Sequence, residues 1–166
     1  MERLKDLKTV HTVDFIGYSR EYQTYLFEKY AIHKGQIIPI NEHNFFKVKS
    51  KELKTLAVSP AITLNPKQEF KPSWWNDFHR VRGAKGIVAL AWWMGSYFAE
   101  QIGVMNSSYP FMEIVGEAGA GKSRLIEFMW KLSGRKDYEG FDPNKATAVA
   151  VYRNFAQISN LPVVLI

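Results

Sequence analysis

The hydrophobic and polar positions divide the chain into a β-like first third, a proline-containing stretch and a largely helical remainder. Between residues 22 and 48, aromatic and branched side chains stand in short runs separated by polar turns, which is typical of strands. We expect two or three antiparallel strands here, with Lys34-Gly35 as a turn. Pro39 cannot donate to a sheet ladder, so its strand is predicted at a sheet edge. The runs of aromatic and branched residues from which these strands are expected are 22–27, 30–32, 36–40 and 45–48.

Three prolines mark residues 59–73 as a linker, and helical periodicity begins after it. Residues 74–81 are predicted to form one short helix, with Ser73 as its N-cap. Two glycines separate it from a longer helix over about 86–102. Aromatic residues on several faces of this second helix predict burial on several faces, so core packing is favoured over a stacking platform for bases.

The most specific pattern in the chain is G-x-x-x-x-G-K-[ST], the phosphate-binding P-loop, at residues 116–123. A short apolar run over 111–115 precedes it and predicts a buried strand. Residues 124–132 follow with apolar positions at helical spacing, and Gly134 is predicted to end that helix. Strand, glycine-rich loop and helix in this order are what the motif requires. The eight motif positions are Gly116, Glu117, Ala118, Gly119, Ala120, Gly121, Lys122 and Ser123.

Each residue type in this motif has a physical role in holding an anion. Glycines adopt backbone angles that a Cβ would forbid, so the loop can wrap closely round a phosphate. Successive N–H groups form a nest, and the following helix adds the positive end of its dipole. Lys122 is predicted to reach the β- and γ-phosphates of ATP as the catalytic residue, and the Ser123 hydroxyl to bind Mg²⁺. The other loop residues and Arg124 complete the predicted cofactor-binding set.

Beyond this helix, the pattern predicts a short strand over 137–141, a helix over about 144–158 and an apolar strand over 161–166. Asp142 and Pro143 are predicted to begin the helix as its N-cap and first residue. An apolar strand at this distance after a P-loop is where a Walker B strand belongs, and it should end in the acid that orders Mg²⁺. The sequence ends before such an acid, so we expect the 166 residues to be a fragment of a longer protein.

The predicted fold class is therefore α/β, with a partial P-loop NTPase core made of a parallel sheet and flanking helices. A small β-rich segment over 1–58 and the linker over 59–73 precede it. Residues 74–166 then form an aromatic helical lead-in and the first part of an incomplete ATPase domain.

Composition and charge narrow the classes of protein. The chain is 46% hydrophobic and 23% charged, which is typical of a globular protein. The absence of cysteine excludes disulfides and fits a cytoplasmic setting. No signal peptide is visible, and the longest uncharged stretch, 86–99, is shorter than the ~20 residues that cross a bilayer, so no membrane partner is predicted. The net charge of +6 fits nucleic-acid binding, with a solvated surface as the alternative.

Outside the motif, two groups of residues have a weaker claim to function. His33 and His43 are isolated histidines without metal-ligand spacing. One local basic cluster either contacts a nucleic-acid backbone or a phosphate, or is a solvated charged loop. Its members are His79, Arg80, Arg82 and Lys85.

The order of these segments resembles the superfamily 3-like helicase ATPases that phages, plasmids and integrated elements encode, often fused to primase or toprim domains. The resemblance covers about residues 74–166. It rests on the aromatic helix at 91–95, Tyr109-Pro110-Phe111 before the P-loop, the P-loop itself, Asp142-Pro143 with the alanine-rich helix, and the apolar run at 161–166.

This resemblance implies hydrolysis of Mg²⁺-ATP coupled to translocation on DNA in mobile-element replication, usually by a homo-oligomeric ring. It also implies that the Walker B acids, the sensor residue, the arginine finger and the DNA-contacting hairpin follow Ile166, so this fragment alone is not expected to be active. Arg124 and Arg135 are poor candidates for the finger, because they lie on or just after the P-loop helix.

Three other interpretations remain open from the sequence. The first is a P-loop ATPase of similar topology that does not unwind DNA. The second is a nucleotide or small-molecule kinase, although no lid segment or acceptor site is recognisable. The third treats the β-rich N-terminal segment as an interaction module. Nothing in the sequence identifies residues that would read the nucleotide base.

Overall fold

The computed structural model describes residues 9–65, 69, 71–136 and 140–166 and has mixed α/β architecture, with two sheets and four α-helices in that part of the chain. The described residues divide into two compact units. The strand unit comprises those up to Ala61 together with Tyr152–Ser159, and the helical unit comprises Ile62–Val151 together with Asn160–Ile166.

The strand unit contains a three-stranded and a five-stranded sheet. Its strands are β1 (Val10–Val13), β2 (Ile16–Ser19), β3 (Thr24–Leu26), β4 (Tyr30–His33), β5 (Gln36–Pro39), β6 (Phe46–Val48), β7 (Lys51–Thr55) and β8 (Ile158–Ser159). The first sheet has the order β1-β7-β6, with β1 parallel and β6 antiparallel to β7. The second has the order β5-β4-β3-β2-β8, antiparallel except for the parallel pair of β2 and β8.

The predicted strands of this segment are present, and the prediction that Pro39 lies on an edge strand is confirmed, because β5 ends its sheet. The prediction of two or three strands was too low, since β1, β2, β7 and β8 were missed. At β2, Gly17 has φ of 121° and lies against the Ser159 carbonyl, where a Cβ would overlap that oxygen. A glycine is therefore required for β8 to pair with β2.

Side chains from both sheets meet in one small core in the strand unit. Its buried members are Leu26, Ala31, Phe46, Val48 and Leu53. They come from β3 and β4 on one side and from β6 and β7 on the other. Burial of one face of each sheet is what stabilises so short a set of strands, because an isolated hairpin is marginal in water.

The helices are α1 (Trp74–Ser96), α2 (Ala99–Asn106), α3 (Lys122–Leu132) and α4 (Ala148–Ala156). Residues 74–81 and 86–102 were predicted as separate helices. A break is present within α1, because the φ of 59° and ψ of −162° at Gly83 are not helical, but the second part ends at Ser96 and not at 102. Ser73 precedes α1, but its side chain makes no capping hydrogen bond, so that part of the prediction was wrong.

The core of the helical unit lies where α1 packs against α3. Trp93 is 1% exposed, and its ring lies 4.6 Å, edge to face, from that of Trp130. Phe78 and Leu90 of α1 and Met129 of α3 complete the contact. The aromatic helix is thus a core element along one face only. Val88 is 66% and Met94 50% exposed on its other faces, so the prediction of burial on several faces was wrong.

The strands predicted on either side of the P-loop do not form among the described residues. Residues 111–115 pair with no described segment, and Phe111 is fully exposed. At 161–166, a single parallel bridge joins Leu165 to Phe141 in place of a strand. A strand needs a neighbour for its N–H and C=O groups, and none of the described segments supplies one at 111–115. The α/β class therefore stands without the predicted parallel sheet.

Two further predictions concern the last third of the chain. The helix predicted over 144–158 is shorter: a 3₁₀ turn covers Pro143–Lys145, and α4 begins at Ala148. Asp142 caps that turn by accepting a hydrogen bond from the Asn144 N–H at 2.9 Å. Of the strand predicted over 137–141, residues 137–139 lie outside the described residues. Of the described helices, none has the length and apolar character that crossing a membrane requires.

Candidate functional site

Two hydrogen bonds hold the segment before the P-loop motif against α1. The Tyr109 hydroxyl donates a hydrogen bond to the Trp92 carbonyl, and the Trp92 Nε1–H donates to the Pro110 carbonyl at 2.8 Å. The rings of Trp92 and Tyr109 lie 5.6 Å apart. These reciprocal contacts fix the segment before the motif to the same helix that carries the core.

The motif runs into α3, whose first two residues are Lys122 and Ser123, so the helix begins two residues before the predicted 124. Gly121 has φ of 78° and ψ of 20° and occupies the N-cap position, and the Leu125 N–H donates to its carbonyl at 3.0 Å. At the other end, Gly134 has φ of 81° and follows the helix, so its predicted role as a stop is confirmed. Buried Leu125 and Met129 hold α3 against α1.

Between entry and exit, the loop is exposed and turns sharply. Gly119 has φ of 80°, and the Ala120 N–H donates to the Glu117 carbonyl at 3.2 Å. Gly116 and Ala118 are also exposed. Two left-handed glycines within three residues allow this sharp turn.

The Lys122 side chain folds back over this loop. Its Nζ donates to the Gly116 carbonyl at 2.6 Å and to the Glu117 carbonyl at 2.8 Å. The ammonium charge therefore lies against the loop backbone. Ser123 is exposed in the first turn of α3, and Arg124 is paired with Glu127 at 2.9 Å.

The structure adds Arg82 to the motif. Its Nη1 donates to the Gly121 carbonyl at 3.1 Å, and a Cβ at position 121 would meet that nitrogen at 2.8 Å. Of the predicted basic cluster, Arg82 alone among the described contacts reaches the loop, while Arg80 instead pairs with Asp77 at 2.9 Å. His79 and Lys85 are exposed. The sequence could not show which residue of the basic cluster contacts the loop, because the hydrogen bond joins residues 39 positions apart.

The two isolated histidines differ in environment. His43 has an exposed side chain beside Glu42, whereas His33 is buried in the strand unit with Thr24 as its hydrogen-bond partner. Within the described ranges, no group of three or more His, Asp or Glu side chains is arranged to hold a metal ion.

No protein-family model, curated protein or solved structure matches the chain.

Proposed function

We propose that residues 116–123 bind the phosphates of Mg²⁺-ATP, and that the protein is the ATP-binding part of a superfamily 3-like DNA helicase ATPase. The observation that carries this proposal is the glycine-rich loop that leads, through left-handed Gly121, directly into α3 with Lys122 as the first helical residue. A loop that ends at a helix N-terminus concentrates N–H donors and positive dipole charge at one point.

The charges around the loop support an anionic ligand. Lys122 and Arg82 both bring cationic nitrogens to within hydrogen-bonding distance of the loop's carbonyl oxygens. A guanidinium has five N–H donors, so one bond to the Gly121 carbonyl leaves Arg82 others for a phosphate. Among the acidic residues nearby, Glu127 is paired with Arg124.

In the proposed complex, each of these side chains has a separate task. The Lys122 ammonium exchanges its two carbonyl acceptors for β- and γ-phosphate oxygens, where it offsets negative charge. The Ser123 hydroxyl provides the protein oxygen for Mg²⁺, whose remaining ligands in such sites are phosphate oxygens and waters. Mg²⁺-ATP supplies the transferable phosphoryl group, and the loop N–H groups and Arg82 orient the phosphates.

The DNA part of the proposal is supported by the sequence resemblance over residues 74–166 and by the net charge of +6. The test is Mg²⁺-ATP hydrolysis by the longest natural form of the protein, with and without single-stranded DNA. We expect turnover that DNA stimulates several-fold and that rising salt suppresses, because backbone contacts release counterions. An equal rate of hydrolysis with and without DNA would reject the helicase proposal in favour of another P-loop ATPase. Absence of hydrolysis under both conditions would reject both proposals.

Replacing Arg82 by methionine is expected to weaken Mg²⁺-ATP binding by about fivefold to tenfold, because a charged donor beside the loop is lost. Equilibrium titration with a fluorescent ATP analogue measures this change. Arg80→Met is the matched control, since it removes the same group from the same helix but from a side chain paired with Asp77. Equal affinities for the two variants would contradict a role for Arg82 at the phosphates.

A further inference from the structure

The helix α1 bends at the residue that follows Arg82. Gly83 has φ of 59° and ψ of −162°, a combination that a residue with a Cβ adopts only under strain. A Cβ at this position would meet no atom of the described residues within 4 Å, so lack of space is not the reason for a glycine here. The backbone angles are the reason, and they set the angle between the two parts of α1.

Both parts of α1 pack against α3, one on each side of the bend. Before it, the Phe78 ring stacks on that of Phe128 with centres 5.1 Å apart. After it, the Trp93 ring packs edge to face on that of Trp130 at 4.6 Å. Because α3 begins within the P-loop motif, these contacts fix the position of the bend relative to the loop.

Gly86 provides the space that the Arg82 side chain occupies. A Cβ at position 86 would overlap the Arg82 Cβ and lie 3.3 Å from the Arg82 Cγ. The Arg82 Cβ is bonded directly to the backbone, so it cannot swing aside as the far end of a flexible side chain can. A residue larger than glycine at position 86 would therefore displace Arg82 from its root.

From this position Arg82 reaches the N-terminus of α3. The Gly121 carbonyl accepts hydrogen bonds from the Arg82 Nη1 at 3.1 Å and from the Leu125 N–H at 3.0 Å, so both lone pairs of that oxygen are used. The described first turn of α3 contains no acidic residue, and Lys122 adds a second cation there. Two cations at the positive end of a helix dipole are unfavourable, and an anion bound at the loop would offset their charge.

We infer that Gly83 and Gly86 are positioning residues of the proposed phosphate site. The bend at Gly83 and the missing side chain at Gly86 direct the Arg82 guanidinium to the phosphates. Neither glycine is required to touch the ligand, since each acts through Arg82. This inference rests on the proposed binding of Mg²⁺-ATP and adds to it how a residue 39 positions before Gly121 is brought to the loop.

The test is an equilibrium titration of the full chain with a fluorescent Mg²⁺-ATP analogue. Gly86→Ala is expected to raise the Kd about fivefold to tenfold, as Arg82→Met does, because the guanidinium is displaced from the loop. Gly103→Ala is the matched control, since it makes the same change within α2, where a Cβ would meet no described atom within 4 Å. It should leave the Kd within about twofold.

A double variant distinguishes a positioning role from a general disturbance of α1. Methionine at position 82 keeps the Cβ and Cγ, so the overlap caused by Gly86→Ala is the same in Arg82→Met as in the parent, and only the guanidinium differs. Gly86→Ala is therefore expected to change the Kd of Arg82→Met by less than about twofold, because changes that act through one group are not additive. Gly83→Ala is expected to follow the same pattern, weakening binding in the parent chain and adding little to Arg82→Met.

The outcomes separate this inference from the proposed function. Absence of saturable binding by the parent chain would overturn the phosphate site and the inference together. Saturable binding by the parent with an unchanged Kd for Gly86→Ala would overturn the inference alone, and so would factors that multiply in the double variant. Tryptophan fluorescence establishes that each variant is folded during the titration, and the cycle of Gly83→Ala with Arg82→Met replaces that of Gly86→Ala if the latter variant does not fold.

Discussion

In the longest natural form of the protein, replacing Lys122 by alanine is expected to abolish measurable ATP turnover and to weaken Mg²⁺-ATP binding about tenfold to a hundredfold. Loss of one charged phosphate contact costs about 1.5–3 kcal/mol in binding. The loss is larger in the transition state, where negative charge develops on the transferred group, and about 10²–10³ in turnover is the usual scale for one such donor. Steady-state hydrolysis and a nucleotide titration measure the two effects separately.

The same substitution should leave the fold intact. The Lys122 ammonium bonds two carbonyls of an exposed loop, and water can replace it at both oxygens. Alanine also has a high helix propensity, so the start of α3 is not weakened. We therefore expect the free energy of unfolding to change by less than about 0.5 kcal/mol, as is usual for exposed positions.

Lys131→Ala is the matched control for Lys122→Ala. It removes the same side chain from an exposed position on the same helix, but in its last turn instead of its first. Turnover and affinity close to those of the parent are expected, since Lys131 lies away from the loop. Wild-type turnover in Lys122→Ala would refute the P-loop assignment. An equal loss in both variants would attribute the effect to net charge.

The P-loop motif could be recognised in the sequence because its geometry is local. Left-handed Gly119 and Gly121, the start of α3 at Lys122 and the stop at Gly134 follow from short-range steric and dipole effects. Pro39 predicted an edge strand for an equally local reason, the missing N–H group.

The strands that were missed depend on distant partners. β7 consists of Lys-Glu-Leu-Lys-Thr, which has the polar composition of a turn, and it becomes a strand because Leu53 and Thr55 bury against the rest of the unit. β8 is two residues long and pairs with β2 from about 140 positions away. The opposite error occurred at 111–115, where a strand-like composition found no neighbour among the described segments.

The residues of the candidate site also divide into those that a local pattern predicts and those that depend on distant partners. Lys122 and Ser123 are given by the motif, whereas the hydrogen bond of Arg82 to the loop appears only once the chain is folded. This bond joins residues that lie 39 positions apart in the sequence. The residues of the local motif can therefore be predicted from this sequence, whereas the contacts that the tertiary fold brings to the motif cannot.

The largest loss of stability is expected from Trp93→Ala, at about 3–5 kcal/mol of unfolding free energy. The Trp93 ring is 1% exposed and packs edge to face on Trp130, so its removal leaves a cavity between α1 and α3. Its Nε1–H also donates to the Ser133 hydroxyl at 2.8 Å, and that hydroxyl keeps its own bond to the Met129 carbonyl at 3.0 Å. The lost packing therefore dominates the loss of stability.

Urea unfolding followed by tryptophan fluorescence reports the stability of the helical unit, because all five tryptophans lie in it. Trp75→Ala is the matched control: it removes the same fluorophore from the same helix at a position that is 41% exposed, and should cost less than about 1 kcal/mol. A similar cost for both variants would contradict the packing of α1 on α3. Since α1 and α3 also hold the entry and the exit of the P-loop, Trp93→Ala should weaken nucleotide binding at urea concentrations at which Trp75→Ala stays folded and binds nucleotide.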